Sequence, residues 1–217
     1  MAYSNLTRYQ AVQLRKRGYS LKEIAKHFGI AKSTVSLWVR DVALDEKAQK
    51  RLISIIKRGR FISASNKRAK TKALEQRYFE EALEEMRSRP NYDKIMCAML
   101  YWCEGAKSPR GVAFTNSDPN LVKAFLKLLR SCFNIDEQKF RPCVHLHTYH
   151  SKKKQLDFWS KITDINKQQF IKPYQKPNGG KRIRENYQGC ISVVYHSSDL
   201  ARRLMAIARA FLDYTGA

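Results

Sequence analysis

The sequence is poor in acid. Nineteen Asp and Glu stand against 42 Lys and Arg in 217 residues, a formal net charge of +23. A deficit of that size in a folded chain points to a polyanionic partner, nucleic acid first and an anionic membrane surface second. Long apolar runs are also missing. No stretch approaches the roughly 18–20 apolar residues of a membrane span, so an integral membrane protein is not expected. The opening residues MAYSNLTRYQ lack an apolar signal core, so secretion by that route is not expected either. Cysteine is sparse: Cys97, Cys103, Cys132, Cys143 and Cys190 are odd in number, irregularly spaced, and form no C-x-x-C pair. That excludes a disulfide frame or a zinc finger and fits reduced thiols in a cytoplasmic, nucleoid-associated protein. There is no phosphate-loop or dinucleotide fingerprint, and no motif for Ser-His-Asp or Cys-His catalysis. What is present is ample apolar material. A hydrophobic content of 43% with 11% aromatics is too rich for a disordered polycation.

The positive charge is spread along the chain. Residues 1–44 carry +6, residues 45–72 carry +8, residues 73–89 carry −2 and residues 90–217 carry +11. This excludes an ordinary enzyme with one basic tail. Three domains follow: a short helical unit over 1–44, a basic helical connector over 45–90, and a mixed helix–strand region over 91–217. The connector holds one Gly and no Pro up to Arg89. Its apolar residues Leu52, Ile55 and Ile56, and later Leu74, Tyr78, Ala82 and Met86, fall at helical spacing, so one or two long exposed helices are expected.

In the first unit, Thr7 can cap a helix that stops at Gly18. Ser20-Leu21-Lys22-Glu23 is a capping box opening a second helix to Phe28, and Gly29 supplies the turn. Ala31 to Arg40 form the third helix. Leu21, Ile24, Phe28, Ile30, Val35, Trp38 and Val39 fall where a three-helix core needs them, and Ala25 is small where two helices cross. Across residues 20–40 this spacing resembles the helix-turn-helix of DNA-binding regulators, resolvases and transposases. The resemblance implies that the third helix enters the major groove. Its outward candidates are Lys32, Ser33, Thr34, Ser36 and Arg40. A helical protein-contact module is the other reading.

The run Ile95-Met96-Cys97-Ala98-Met99-Leu100-Tyr101-Trp102-Cys103 is unbroken apolar and ends in Glu104-Gly105. Such a helix is expected to be buried all round, in a core or at a subunit interface. An acid at a helix C-terminus is unfavourable. Together with free carbonyls, however, it offers oxygens to a hard cation such as Mg²⁺. Alternatively, Glu104 solvates the end of a core helix.

Cys97 to Gly105 resembles the LAGLIDADG motif of homing endonucleases. Phe114-Thr115-Asn116-Ser117-Asp118-Pro119 and Phe158-Trp159-Ser160 with Thr163 look like a divergent bacterial branch of that family, over about residues 92–213. The resemblance implies an α+β fold: an αββαββα domain whose antiparallel saddle sheet carries helices on one side and DNA on the other. It also implies a catalytic and metal-binding Glu104, Mg²⁺ as cofactor, and a homodimer through the 95–104 helix that brings two Glu104 together. Lys107 is the candidate basic assistant. Asp93 lies at the other end of the helix.

The residues can be read independently of that resemblance. Phe140, Pro142, Val144 and Leu146 alternate with Arg141, Cys143, His145, His147 and Tyr149, a strand with one apolar and one hydrogen-bonding face. Ile191, Val193 and Tyr195 alternate with Ser192, Val194 and His196. Gly111–Asn116 and Gln169–Lys176 are weaker strands. Helices are expected at about 118–132, 151–162 and 198–213, the first opened by Asp118 with Pro119 at its first position. Basic residues gather near the strand ends: Lys107, Arg110, Lys139, Arg141, Lys152, Lys153, Lys154, Lys172, Lys176, Lys181, Arg182 and Arg184. The DNA-binding set drawn from this region is Arg110, Lys139, Arg141, His145, His147, Lys172, Lys176, Lys181, Arg182 and Arg184. Cys143, His145 and His147 share a face that could hold a transition metal, although a polar DNA-facing strand explains the same residues. Two functions remain open: a Mg²⁺-dependent DNA endonuclease, and a non-cleaving regulator that binds double-stranded DNA. RNA binding or a nucleoid role is a third.

Overall fold

The computed structural model of the chain describes residues 4–107, 110–176 and 186–216. It divides into two compact units, residues 1–71 and 72–217.

The first unit contains α1 (Asn5–Lys16), α2 (Leu21–Phe28), α3 (Lys32–Trp38) and the N-terminal turns of α4 (Glu46–Ser88). Ser4, not Thr7, caps α1: its hydroxyl accepts the Thr7 amide at 3.1 Å, and Thr7 itself lies in the first turn. The Ser20–Glu23 capping box forms in both directions. Gly29 closes α2 in the left-handed conformation at φ 67°, where a glycine avoids the Cβ penalty. Ala11, Ile24, Ile30, Val35 and Val39 make the buried centre, with Leu21, Ala25, Phe28 and Trp38 packed around it.

Arg51 secures α4 to this bundle. Its guanidinium donates to the Gly18 carbonyl at 2.6 Å and to Glu23 at 2.8 Å, and it lies 4.0 Å from the centre of the Tyr19 ring. Gly18 has φ +80°, and a Cβ there would stand 2.7 Å from the Ala48 backbone. The turn therefore admits the helix only because residue 18 has no side chain.

In the second unit the C-terminal half of α4 buries Tyr78, Ala82 and Met86, at the spacing read from the sequence. Ala82 and Met86 pack near Ile95, Ala210 and Phe211. The Tyr78 hydroxyl donates to Asp199 and accepts from Arg203 at 3.2 Å. Burial pushes the Asp199 carboxyl up, but the Tyr78 hydroxyl and Arg203 outweigh it and hold the group below its ordinary value.

Then follow α5 (Tyr92–Glu104), β1 (Val112–Asn116), α6 (Pro119–Cys132), β2 (Phe140–Leu146), α7 (Lys152–Thr163), β3 (Tyr174–Gln175), β4 (Cys190–Tyr195) and α8 (Ser198–Thr215). The unit is α+β, but its order is not αββαββα. Helices follow β1 and β2 directly, so those strands do not form a hairpin, and β4 lies between them in the order β1-β4-β2-β3. Nor is the sheet wholly antiparallel: β3 runs parallel to β2. The expected strand 169–176 shrinks to two residues. A 3₁₀ turn takes Lys167–Gln169, and Pro173 has no amide to give a ladder.

Alternation in the strands sorts the sheet into two faces. Val112, Phe114, Phe140, Val144, Leu146, Ile191, Val193 and Tyr195 are buried against the helices. Phe114 stacks on Phe125 of α6 at 4.1 Å, and Trp159 of α7 is fully enclosed, its indole donating to the Gln188 carbonyl. The all-round burial expected of α5 is not observed. Cys97, Ala98 and Tyr101 are buried, but Met96 and Cys103 are exposed, because the helix packs on α6, α8 and β1 from one side. Among the described residues no helix is long and apolar enough to cross a membrane.

The Arg51 hydrogen bond lowers the Glu23 carboxyl from 4.5 to about 2, against the opposing effect of burial. A lowered carboxylate contributes stability above its unfolded value and loses it as pH falls through the folded value. Glu23→Gln should therefore cost about 1 kcal/mol at pH 7, the pair being a third exposed. Urea unfolding of the first unit, read by NMR at Ala11 and Val35, should show this deficit narrowing from pH 5 towards pH 2. Gly105 is fixed by a close contact in the same way. A Cβ there would overlap the Tyr101 ring, whose hydroxyl is held by the Ala106 carbonyl at 2.8 Å. Gly105→Ala should destabilise the second unit by about 1–3 kcal/mol, measured by urea unfolding.

Candidate nucleic-acid interface

The first unit presents α3 outward. Val35 is buried under it, and Lys32, Ser33, Ser36 and Arg40 are exposed, with Thr34 half-buried at the edge. Ser33, Ser36 and Leu37, with Arg40 just past the helix end, follow the three-and-four spacing of a single helix face. Leu37 is 62% exposed although apolar. An apolar residue in a helix reads first as core, and Leu37 does not stand out among the outward candidates. Its signal was its position: one residue after Ser36 and four after Ser33, it cannot share the Val35 face. The surface combines hydroxyls, cations and one apolar side chain. That is the mixture that reads base edges and thymine methyl groups in a major groove.

In the second unit the outer sheet face carries Ala113 and Thr115 on β1, Arg141, Cys143 and His145 on β2, and Cys190, Ser192 and Val194 on β4. Thr115 and Ser192 hydroxyls meet at 2.7 Å across the pair. His145 stands edge-on to Tyr174 at 5.5 Å, and burial, with a smaller effect of Lys176, lowers its pKa. That shift favours the neutral ring, which can accept as well as donate. Lys172 is exposed and its carbonyl meets the Cys143 thiol. The Arg141 guanidinium folds back on the Gln138 and Phe140 carbonyls. His147 stacks on Tyr149 beyond the strand end.

Other expected residues lie elsewhere. Lys139 borders a cleft on the helix side with Tyr78, Lys94 and Asp199, and pairs with Asp136 at 3.5 Å. Arg110 is exposed in the turn before β1. Lys181, Arg182 and Arg184 lie outside the described residues. Glu104 is exposed at the end of α5 and accepts from the Asn116 amide at 3.1 Å. Lys107 is exposed with its ammonium 5.2 Å from the Trp102 ring centre. Among the described residues no three His, Cys, Asp or Glu gather into a metal-holding group, the Cys143–His145–His147 strand included.

A family model described as a homeodomain-like domain matches residues 3–45. The N-terminal unit is a helix-turn-helix, and it supports sequence-specific DNA binding. No curated protein and no solved structure matches the chain.

Leu37→Glu tests the face directly. An exposed substitution should leave stability within about 0.5 kcal/mol. A carboxylate set against phosphates and base edges should weaken duplex binding about tenfold or more, as measured by fluorescence anisotropy.

Proposed function

We propose that the chain is a sequence-specific double-stranded-DNA-binding protein. In this reading α3 lies in the major groove and the outer sheet face of the second unit makes further DNA contacts. Residues 1–44 read sequence, 45–90 connect, and 91–217 form the second contact region. One observation carries the reading: Ser33, Ser36, Leu37 and Arg40 form an outward stripe over a closed three-helix core, within a stretch that matches a homeodomain-like domain. On the sheet, His145 with Thr115, Ser192 and Lys172 offers hydrogen bonds in both directions.

A second reading is a LAGLIDADG-like, Mg²⁺-dependent homing endonuclease. Its support is Glu104, an exposed carboxylate at the end of the motif-like helix, held by Asn116. One carboxylate is too few oxygens for a firm Mg²⁺ site. A second copy would have to supply another, through the exposed Tyr92, Met96 and Cys103 side of α5. Bound there, the metal would polarise a phosphodiester oxygen and activate water, with Lys107 close in sequence to stabilise charge.

A duplex recovered from a random library separates the two. DNA binding without cleavage expects a retarded, intact duplex after long incubation with Mg²⁺. A nuclease expects a cut product that Glu104→Gln abolishes while binding persists. Failure to retain any duplex at low salt overturns both.

A further inference from the structure

The middle of α4 is a helix with nothing against it. Residues 56–70 are exposed on every side, and Phe61 is 75% exposed. No Asp or Glu occurs between Glu46 and Glu75. The helix therefore has none of the i,i+4 ion pairs that support a solvent-bathed helix. Such pairs appear only at its ends, Glu46–Lys50 and Arg77–Glu81. Lys57 and Arg60 stand one turn apart, as do Lys67 and Lys70, so like charges repel along the helix. Gly59, Ser63, Ser65 and Asn66 are poor helix formers. By these criteria the segment lacks the usual means of staying helical in water, and an anionic surface would provide one.

Its shape fits such a surface. At about 100° per residue, Arg60, Lys67 and Lys70 share one sector of the helix, Lys57 and Arg68 lie beside it, and Arg58 falls behind. The missing side chain at Gly59 opens a shallow groove lined by Ile62, Ser63, Asn66, Lys67 and Lys70. The groove offers donors and no carboxylate. Fifteen residues at about 1.5 Å each run about 22 Å, the length of roughly six to seven base pairs.

We propose that residues 56–70 of α4 form a further, sequence-independent DNA site that grips the phosphate backbone and gains helical order in doing so. This rests on the reading that the partner is duplex DNA. Six like charges on this short helix disfavour pairing with a second copy, which would bring twelve together.

The test uses the full chain and the variant Lys57→Gln/Arg60→Gln/Lys67→Gln/Lys70→Gln, titrated with the library-selected duplex at several salt concentrations. The slope of log affinity against log salt should become shallower by about 3–4, close to 0.9 per lost contact. The preference order among duplexes should not change, because α3 is untouched. Circular dichroism should show helix gained on DNA addition by the wild type and little by the variant. A control replacing Lys57, Lys67 and Lys70 by Arg should keep the wild-type slope, which shows that any loss is of charge and not of folding. An unchanged slope in the glutamine variant, with wild-type binding intact, overturns the proposal. So does sedimentation showing that α4 pairs two copies and that Ile62→Lys separates them. Wild-type protein that binds no duplex fails the underlying reading instead, and is told apart by the first titration.

Discussion

Electrostatic self-repulsion is the constraint on which this structure turns. A net charge of +23 opposes compaction, and the few acids are spent on local structure. Glu23 closes a capping box and holds Arg51. Asp45 and Asp118 cap α4 and α6. Glu85 holds Lys94, Glu137 holds Arg130, Asp157 holds Lys167, and Asp199 joins Tyr78 to Arg203. Each of these acids pairs with a cation or satisfies amides at a helix start. Exposed cations include Lys32 on α3 and Arg40 just past its end, the six on residues 56–70 of α4, and Arg110 and Lys172 near the sheet.

That division of labour explains why charge and fold do not conflict. Each unit has its own apolar centre: a small one around Val35, and a larger one where α5 to α8 cover one sheet face. These cores do not depend on the outward cations, which are therefore free to meet phosphates. Binding of this kind releases counterions, so affinity should fall steeply with salt.

Much of this was legible in residue patterns. Alternation over Phe140–Leu146 and Ile191–Tyr195 gave both strand identity and the correct buried face, because a period of two leaves only one assignment. The Ser20–Glu23 box and the Asp118-Pro119 start were readable because capping is local chemistry. Three things were not. The Arg51–Glu23 tie joins residues 28 apart, and nothing local announces it. The parallel pairing of β3 and the order β1-β4-β2-β3 depend on how helices return strands to the sheet. The exposure of Met96 is a tertiary fact, since an apolar residue looks alike in a core and on an interface. Glu104-Gly105 shows the same limit: the motif was visible, but the close approach of Tyr101, which requires the glycine, was not.

The central claim is that the outward stripe of α3 selects DNA sequence. It is tested most directly by selecting duplexes from a random library with the full chain, and repeating the selection with Ser36→Ala and Arg40→Ala. A reading helix predicts one enriched motif for the wild type, with base preference relaxed at particular positions by each substitution. Recovery of the same motif by all three proteins, or of no motif by the wild type, would contradict it.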